Sequence, residues 1–200
     1  MECAAVNGTY RGRGSVKTMD VVVRRATVAD RQAVERLLDG AGLPLAGLDD
    51  VWAAWVAERG GAVVGTVALE RYRPDRHRPR LGRPRLGRPR LRRPRRDGGG
   101  EGADEPAYLL RSVAVDPALQ GMGIGGTLVE TALETADGDA GRTATVALLT
   151  DSAVGYFDQF GFTPVQRSAL PTALAGSAEL TGACPESARS YLRTGARVSG

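Results

Sequence analysis

Hydrophobic positions recur along the chain with two different periods, and the switches between them mark out its elements. Val21, Val22 and Val23 open a β-branched run over residues 20–25 that is expected as a strand. Thr27, with Asp30 three residues on, is a near relative of the capping box, and Val34, Leu37, Leu38 and Ala41 follow at helical spacing. Gly40 and Gly42 end that helix. Residues 48–57 fit two patterns: Trp52, Trp55 and Val56 suit a helix face, while residues 55–58 suit the start of a strand. Arg59-Gly60-Gly61 is a hairpin-turn candidate, and Val63, Val64, Val67 and Leu69 make 62–71 a strand interrupted by Gly65. The apolar run from Leu109, with Val113 and Val115 at alternate positions, is a largely buried strand stopped by Asp116-Pro117. Leu128, Val129, Ala132, Leu133 and Ala136 return to the helical period, followed by a loop at 137–141. A strand at 142–150, a short helix capped by Asp151 or Ser152 and closed by Gly161, and a short strand at 162–165 come next. A helical turn from Pro171 through Leu174, a loop at 181–186 and a last strand at 190–193 complete the order, which places the chain in the α/β class.

Two stretches fall outside this pattern. Residues 1–18 show no periodicity and are expected as a disordered tail. In residues 73–106 the unit Arg80-Leu81-Gly82-Arg83-Pro84 repeats as Arg85-Leu86-Gly87-Arg88-Pro89, then loosely as 90–94. Proline every five residues blocks helix and central strand, and like charges extend the chain, so a disordered insertion between two strands is expected. The insertion also distorts the charge balance. Residues 71–96 hold 13 arginines and one acid, leaving 14 basic and 22 acidic residues elsewhere. The folded part is therefore acidic, and no aromatic interleaves the repeat for base stacking, so nucleic-acid binding through it would be incidental. Cys3 and Cys184 are the only cysteines and His77 the only histidine, so neither a disulfide framework nor a metal site is expected. No apolar run approaches membrane-spanning length and no signal-peptide core is present; a cytoplasmic protein without membrane contact is expected.

The chemistry concentrates in 120–127. Gly121, Gly123, Gly125 and Gly126 crowd into six residues between a strand and a helix. Glycines there let the backbone approach a ligand closely, and the first N–H groups of a helix lack internal partners. Together they make an anion site, most often for phosphate. The spacing G-x-G-x-x-G also fits a dinucleotide site, which needs an acid about 20 residues on. Asp139 has that distance but falls in the expected loop. A glycine turn with no ligand remains the alternative.

Gln120-Gly121-Met122-Gly123-Ile124-Gly125, after a strand ending Val-Ala-Val-Asp-Pro, resembles the acetyl-CoA signature of the GNAT acetyltransferase superfamily. Residues 152–162, closed by Gly161-Phe162, are similar to that superfamily's late helix. The resemblance covers about residues 19–193 apart from the insertion, so that 19–200 is taken as one domain. It implies a central mixed β-sheet flanked by helices, with two parallel strands splayed at the cofactor cleft. Acetyl-CoA would serve as co-substrate without a metal. Val113 and Val115 would pair with its pantetheine arm, and Gln120, Gly121, Met122, Gly123, Ile124, Gly125, Gly126 and Thr127 would surround its pyrophosphate. An N–H at Val113 would stabilise the oxyanion. Glu70 is the first candidate for general base, against a solvated strand-end carboxylate. Phe157 stands where many GNAT enzymes carry a tyrosine acid, with Tyr156 adjacent.

Residues 148–153, 165–167 and 183–188 look like the arsenic-resistance N-acetyltransferases, and the last also resembles the acetyltransferase domain of N-acetylglutamate synthases. Both imply the amine of a small molecule, an amino acid or an analogue, as acceptor. Cys184, within that segment, is a substrate-site candidate or a small buried hydrophobe. Strand alternation puts Arg111 on one face with Val113 and Val115. There it either grips an acceptor carboxylate or forms a structural ion pair with Glu70. A non-catalytic GNAT-like module binding acetyl-CoA or nucleic acid is the alternative function, and the sequence leaves monomer and homodimer open.

Overall fold

Each β-branched run becomes a strand of one sheet, and each run at helical period packs on it. The computed structural model describes residues 21–73 and 105–194, so the expectations for the tail at 1–18 and for the insertion, apart from its edges, lie outside the described residues. In order, β1 (Val21–Arg25) leads through a 3-10 turn (Val28–Asp30) into α1 (Arg31–Gly40). The hairpin of β2 (Ala53–Arg59) and β3 (Ala62–Tyr72) follows, then β4 (Ala107–Val115), α2 (Ile124–Ala140) and β5 (Thr145–Thr150). The strands β6 (Thr163–Val165) and β7 (Arg189–Arg193) come last. The seven strands lie in the order β1-β2-β3-β4-β5-β7-β6. Every neighbouring pair is antiparallel except β4 and β5, which run parallel.

The hairpin turn is Gly60-Gly61, with φ of 57° and 81°, as a two-residue I′ turn requires. Gly65 interrupts β3 because α2 passes close: a Cβ there would lie 3.0 Å from Leu128 Cδ1. The main core fills the space between one sheet face and α2, with Leu128, Val129, Ala132 and Leu133 against Trp55, Val67 and Leu110. On the opposite face Leu38 of α1 packs with Leu43 and Ala114. Further along that face the C-terminal segment covers Leu109, Ala147 and Leu149 with Leu170 and Leu174. No helix among the described residues is long and apolar enough to cross a membrane.

Several boundaries differ from the sequence expectation. The ambiguous stretch at 55–58 is strand, because Trp55 and Ala57 alternate into the main core. The expected loop at 137–141 is helix as far as Ala140. Gly141, at φ 69°, ends it, and Asp137 anchors the last turn through Arg193 at 2.8 Å and the Ala144 N–H at 2.7 Å. The strand expected from 142 begins at Thr145. The short helix after 152 contracts to a 3-10 turn, Phe157–Phe160, with Thr150 Oγ1 accepting the Ala153 N–H at 3.0 Å. Part of the expected loop at 181–186 is a helical turn, Glu179–Ala183. Cys184 is disulfide-bonded, a single bond that the expectation of no disulfide framework did not address. Two cysteines so far apart carry no spacing signal.

The change with most effect on the site is inside β4. Thr66 pairs with Ala114 and Ala68 with Arg111, so that the single residue Val67 faces both Ser112 and Val113. Ser112 adopts φ 56°, the left-handed region, which marks a β-bulge. The extra residue resets the alternation. Val113 and Val115 turn with Tyr108 and Leu110 into the α2 core, whereas Ala114 faces α1. Arg111 does not share the face of Val113 and Val115, contrary to simple alternation.

Candidate active site

The glycine-rich turn closes the end of β4 and starts α2. Gln120 Nε2 donates to the Val115 carbonyl at 3.1 Å, and Asp116 accepts the Ala118 N–H at 2.9 Å, folding the turn back on the strand. Gly121 and Gly123 have φ of 78° and 83°, and a Cβ at either would meet no atom within 4 Å. Gly123 is the N-cap of α2, and its carbonyl takes the first intrahelical bond, from the Thr127 N–H at 3.1 Å. The N–H groups of Ile124, Gly125 and Gly126 therefore have no acceptor within the helix. Bare backbone and the positive end of a 17-residue helix coincide, a donor set suited to a pyrophosphate. No ionisable side chain lies within 120–127; Met122 is exposed on the turn and Thr127 on the first turn of α2.

Beside this turn the sheet opens. The parallel strands β4 and β5 pair only at Ala107↔Thr145, Tyr108↔Val146 and Leu109↔Ala147. Beyond Leu109 each keeps its other neighbour: β4 pairs with β3 as far as Val115↔Gly65, and β5 with β7 as far as Thr150↔Arg189. The strands thus part at Leu110, and the β4 segment from there to Val115, which includes Val113, carries one edge that no strand among the described residues occupies. The acid sought for a dinucleotide site does not serve as one. Asp139 lies on α2, accepts the Tyr108 hydroxyl and pairs with Arg71 at 2.9 Å.

Glu70 is opposite Leu109, at the point where the strands part. It is not the solvated strand-end carboxylate of the alternative reading, since β3 continues to Tyr72 and Glu70 is buried. One of its oxygens accepts from Arg111 Nη1 and the other from the Tyr72 hydroxyl at 2.6 Å. Arg111 is itself enclosed. Its Nη2 donates to the Ala46 carbonyl at 2.5 Å, and its Nε is 3.3 Å from Glu179 Oε1. The ion-pair alternative for Arg111 is therefore the one the geometry displays. Glu179 is the residue that sequence reasoning missed: it is buried, its second oxygen has no hydrogen-bond partner, and burial pushes its carboxyl up to about 8 despite Arg111. No local signal marks it, because its turn lies between residues that resemble a loop. Burial, then the hydrogen bond to Glu70, raises the Tyr72 hydroxyl to about 12.

Cys184 is buried in the C-terminal cluster with Leu170 and Leu174. The structure does not bring it into the cluster that holds Val113 and Val115. Phe157 is wholly buried in the main core, edge-on to Phe162 at 6.0 Å, and Tyr156 packs edge-on against Phe157 at 5.1 Å.

On the α1 face lies a cavity of about 540 Å³ whose sheet floor includes Ala54, Thr66, Ala68 and the bulged Ser112. Ser112 is a second residue without a sequence signature: its left-handed backbone sets it into the cavity floor, one residue before Val113. Among the described residues no group of three or more histidine, cysteine or carboxylate side chains could hold a metal ion.

The chain matches the acetyltransferase (GNAT) domain over residues 51–164, from just before β2 into β6, a span that includes the parted strands, the glycine turn and α2. No curated protein matches it. Among solved structures, N-acetylglutamate synthase from Neisseria gonorrhoeae, complexed with coenzyme A and N-acetyl-glutamate, is similar at a TM-score of 0.58 and 17% identity. That match covers 88% of this chain but 35% of the synthase chain, so this protein spans about a third of the synthase's length. An acetyltransferase of the GNAT family from Staphylococcus aureus Mu50 is similar at a TM-score of 0.56 and 14% identity, over 86% of this chain and 98% of that one. A Mycobacterium tuberculosis protein in complex with CoA and NLQ is similar at a TM-score of 0.55 and 24% identity, again over 86% and 98%. These likenesses show the fold, and the domain match, which takes in more than half of the chain, shows that it belongs to the GNAT family of acetyltransferases.

Proposed function

We propose that the protein transfers the acetyl group of acetyl-CoA to the amine of a small molecule, an amino acid or amino-acid analogue, as in the arsenic-resistance N-acetyltransferases. The observation that carries the reading is the coincidence of two features at one end of the sheet: β4 and β5 part beyond Leu109, and a bare glycine turn opens α2 beside the gap. In this reading the pyrophosphate rests on the N–H groups of 121–126, with Gln120 bracing the turn and Met122 and Thr127 flanking it. The pantetheine arm runs along Val113 and Val115 as an added strand. The amine attacks the thioester carbonyl, and the Val113 N–H, next to the bulge, donates to the oxyanion. Collapse of the tetrahedral adduct expels the CoA thiolate. Glu70, at the parting point, is the final acceptor of the amine proton, with Arg111 and Tyr72 fixing its carboxylate. Phe157 cannot protonate the thiolate, which takes its proton from water. The enzyme's contribution is chiefly positioning and oxyanion stabilisation.

The amino-acid class is supported by the resemblance in residues 148–153 and 183–188, and by the N-acetyl-glutamate bound to the structurally similar synthase. The test is thiol release from acetyl-CoA with a panel of primary amines, the acetylated product being identified by mass. Amine-dependent release is expected. Release at the hydrolysis rate with every amine would leave the protein a binding module.

A further inference from the structure

We propose that the acceptor is a primary amine carried on a bulky, uncharged, aromatic-sized body, bound in the cavity between α1 and the sheet, rather than a small amino acid with a charged side chain. The inference rests on the acetyl-transfer reading and names its substrate class. Its first support is position. Ser112 lines the cavity, and the next residue, Val113, belongs to the β4 segment whose edge is open after the strands part, so the cavity adjoins the place where a thioester would lie. The second is size. About 540 Å³ is within the roughly 300–1,000 Å³ of drug-sized ligand sites and leaves a small amino acid loosely held.

The third support is the apolar lining that Val28, Val34, Leu48 and Val51 add to the sheet floor. No carboxylate is among the described lining residues, so a cationic side chain would be buried without a partner. The two lining arginines are engaged. Arg31 holds Glu35 at 2.7 Å and also pairs with Asp49, and the Arg25 guanidinium is turned to the α2 face of the sheet, over the Trp55 ring at 4.6 Å. An anionic side chain would have to compete with those partners.

Acetyl transfer to 2-phenylethylamine, L-phenylalanine, L-glutamate and L-lysine, preceded by calorimetry with acetyl-CoA, tests the inference. At least tenfold higher kcat/KM is expected for one or both aromatic amines. The ratio between those two shows whether the α-carboxylate is also read. Equal or better transfer to glutamate or lysine would overturn the inference and leave acetyl transfer standing, whereas no transfer to any amine would overturn both. Val51→Glu places a carboxylate in that apolar lining and should raise the aromatic amine's KM at least tenfold, with acetyl-CoA affinity within twofold. Val34→Glu is the second variant should the first not fold. An unchanged KM in a folded variant would place the acceptor elsewhere.

Discussion

Removing the Arg111 charge while keeping its bulk tests what the buried cluster contributes. Arg111→Met retains a long flexible stem in a side chain that has no exposure, and it deletes the donors to Glu70 and Ala46. At pH 7 Glu179, raised to about 8, holds its proton, so the wild-type cluster is one cation against the Glu70 carboxylate. The variant leaves that carboxylate buried with only the Tyr72 hydroxyl. Breaking one side of a buried pair costs about 3–5 kcal/mol. For a chain of this size each kcal/mol moves the melting temperature by about 2–4 °C, so a fall of roughly 6–20 °C is expected. The combination Arg111→Met, Glu70→Gln and Glu179→Gln removes the stranded charge and should recover most of the loss. Thermal melts and urea denaturation, both followed by circular dichroism, measure these. Refutation would be an Arg111→Met protein within about 0.5 kcal/mol of wild type, the range of ordinary surface changes.

Other expectations follow from neighbouring contacts. The Glu179 carboxyl is raised from 4.5 to about 8, so the native state keeps a proton that the unfolded chain has lost, and stability should fall as pH rises through that window and level off above it. Glu179→Gln should flatten the profile, read as urea midpoints at several pH values; an unaltered slope would contradict the assignment. Gly47 and Gly61 share φ near 80°, but a Cβ at Gly47 would lie 2.6 Å from Arg111 Nη1 while Gly61 is open. Gly47→Ala should therefore cost about 1–3 kcal/mol more than Gly61→Ala in the same denaturation assay, the difference being steric. Tyr72 pairs with Ala107, so a short turn can join β3 to β4. Replacing residues 75–103 by such a turn should preserve melting temperature and acetyl transfer, because closure entropy changes slowly with loop length; a variant that fails to fold would make the segment part of the domain.

The apolar periodicity was enough to locate every described strand except β2 within a few residues, because buried β-branched runs and glycine turns are local features, while the stretch that became β2 fitted a helix face as well. The glycine turn was legible for the same reason: backbone that must stay bare can be written only as glycine. What escaped was set by tertiary structure. Ser112 takes a left-handed backbone although serine does not favour it, because β3 supplies one residue where β4 has two. That bulge moved Arg111 off the expected face. Asp137-Gly138-Asp139 has poor helix propensity, yet it is helical because Arg193 binds Asp137 while Arg71 and the Tyr108 hydroxyl bind Asp139. Glu179 meets Arg111 from 68 positions along the chain, a juxtaposition with no trace in local spacing.

The central claim is that acetyl-CoA lies on the glycine turn at the parted strands, and titration calorimetry of acetyl-CoA into wild type and Gly123→Glu tests it most directly. The new side chain meets no protein atom at its Cβ but stands where the pyrophosphate would be. A non-glycine residue at φ 83° costs the fold about 1–2 kcal/mol, which a melting curve reports separately. One carboxylate about 4 Å from a phosphate charge costs about 4 kcal/mol near a protein surface. A loss of affinity of roughly a thousandfold is therefore expected in a folded variant. Wild-type affinity in folded Gly123→Glu would contradict the account.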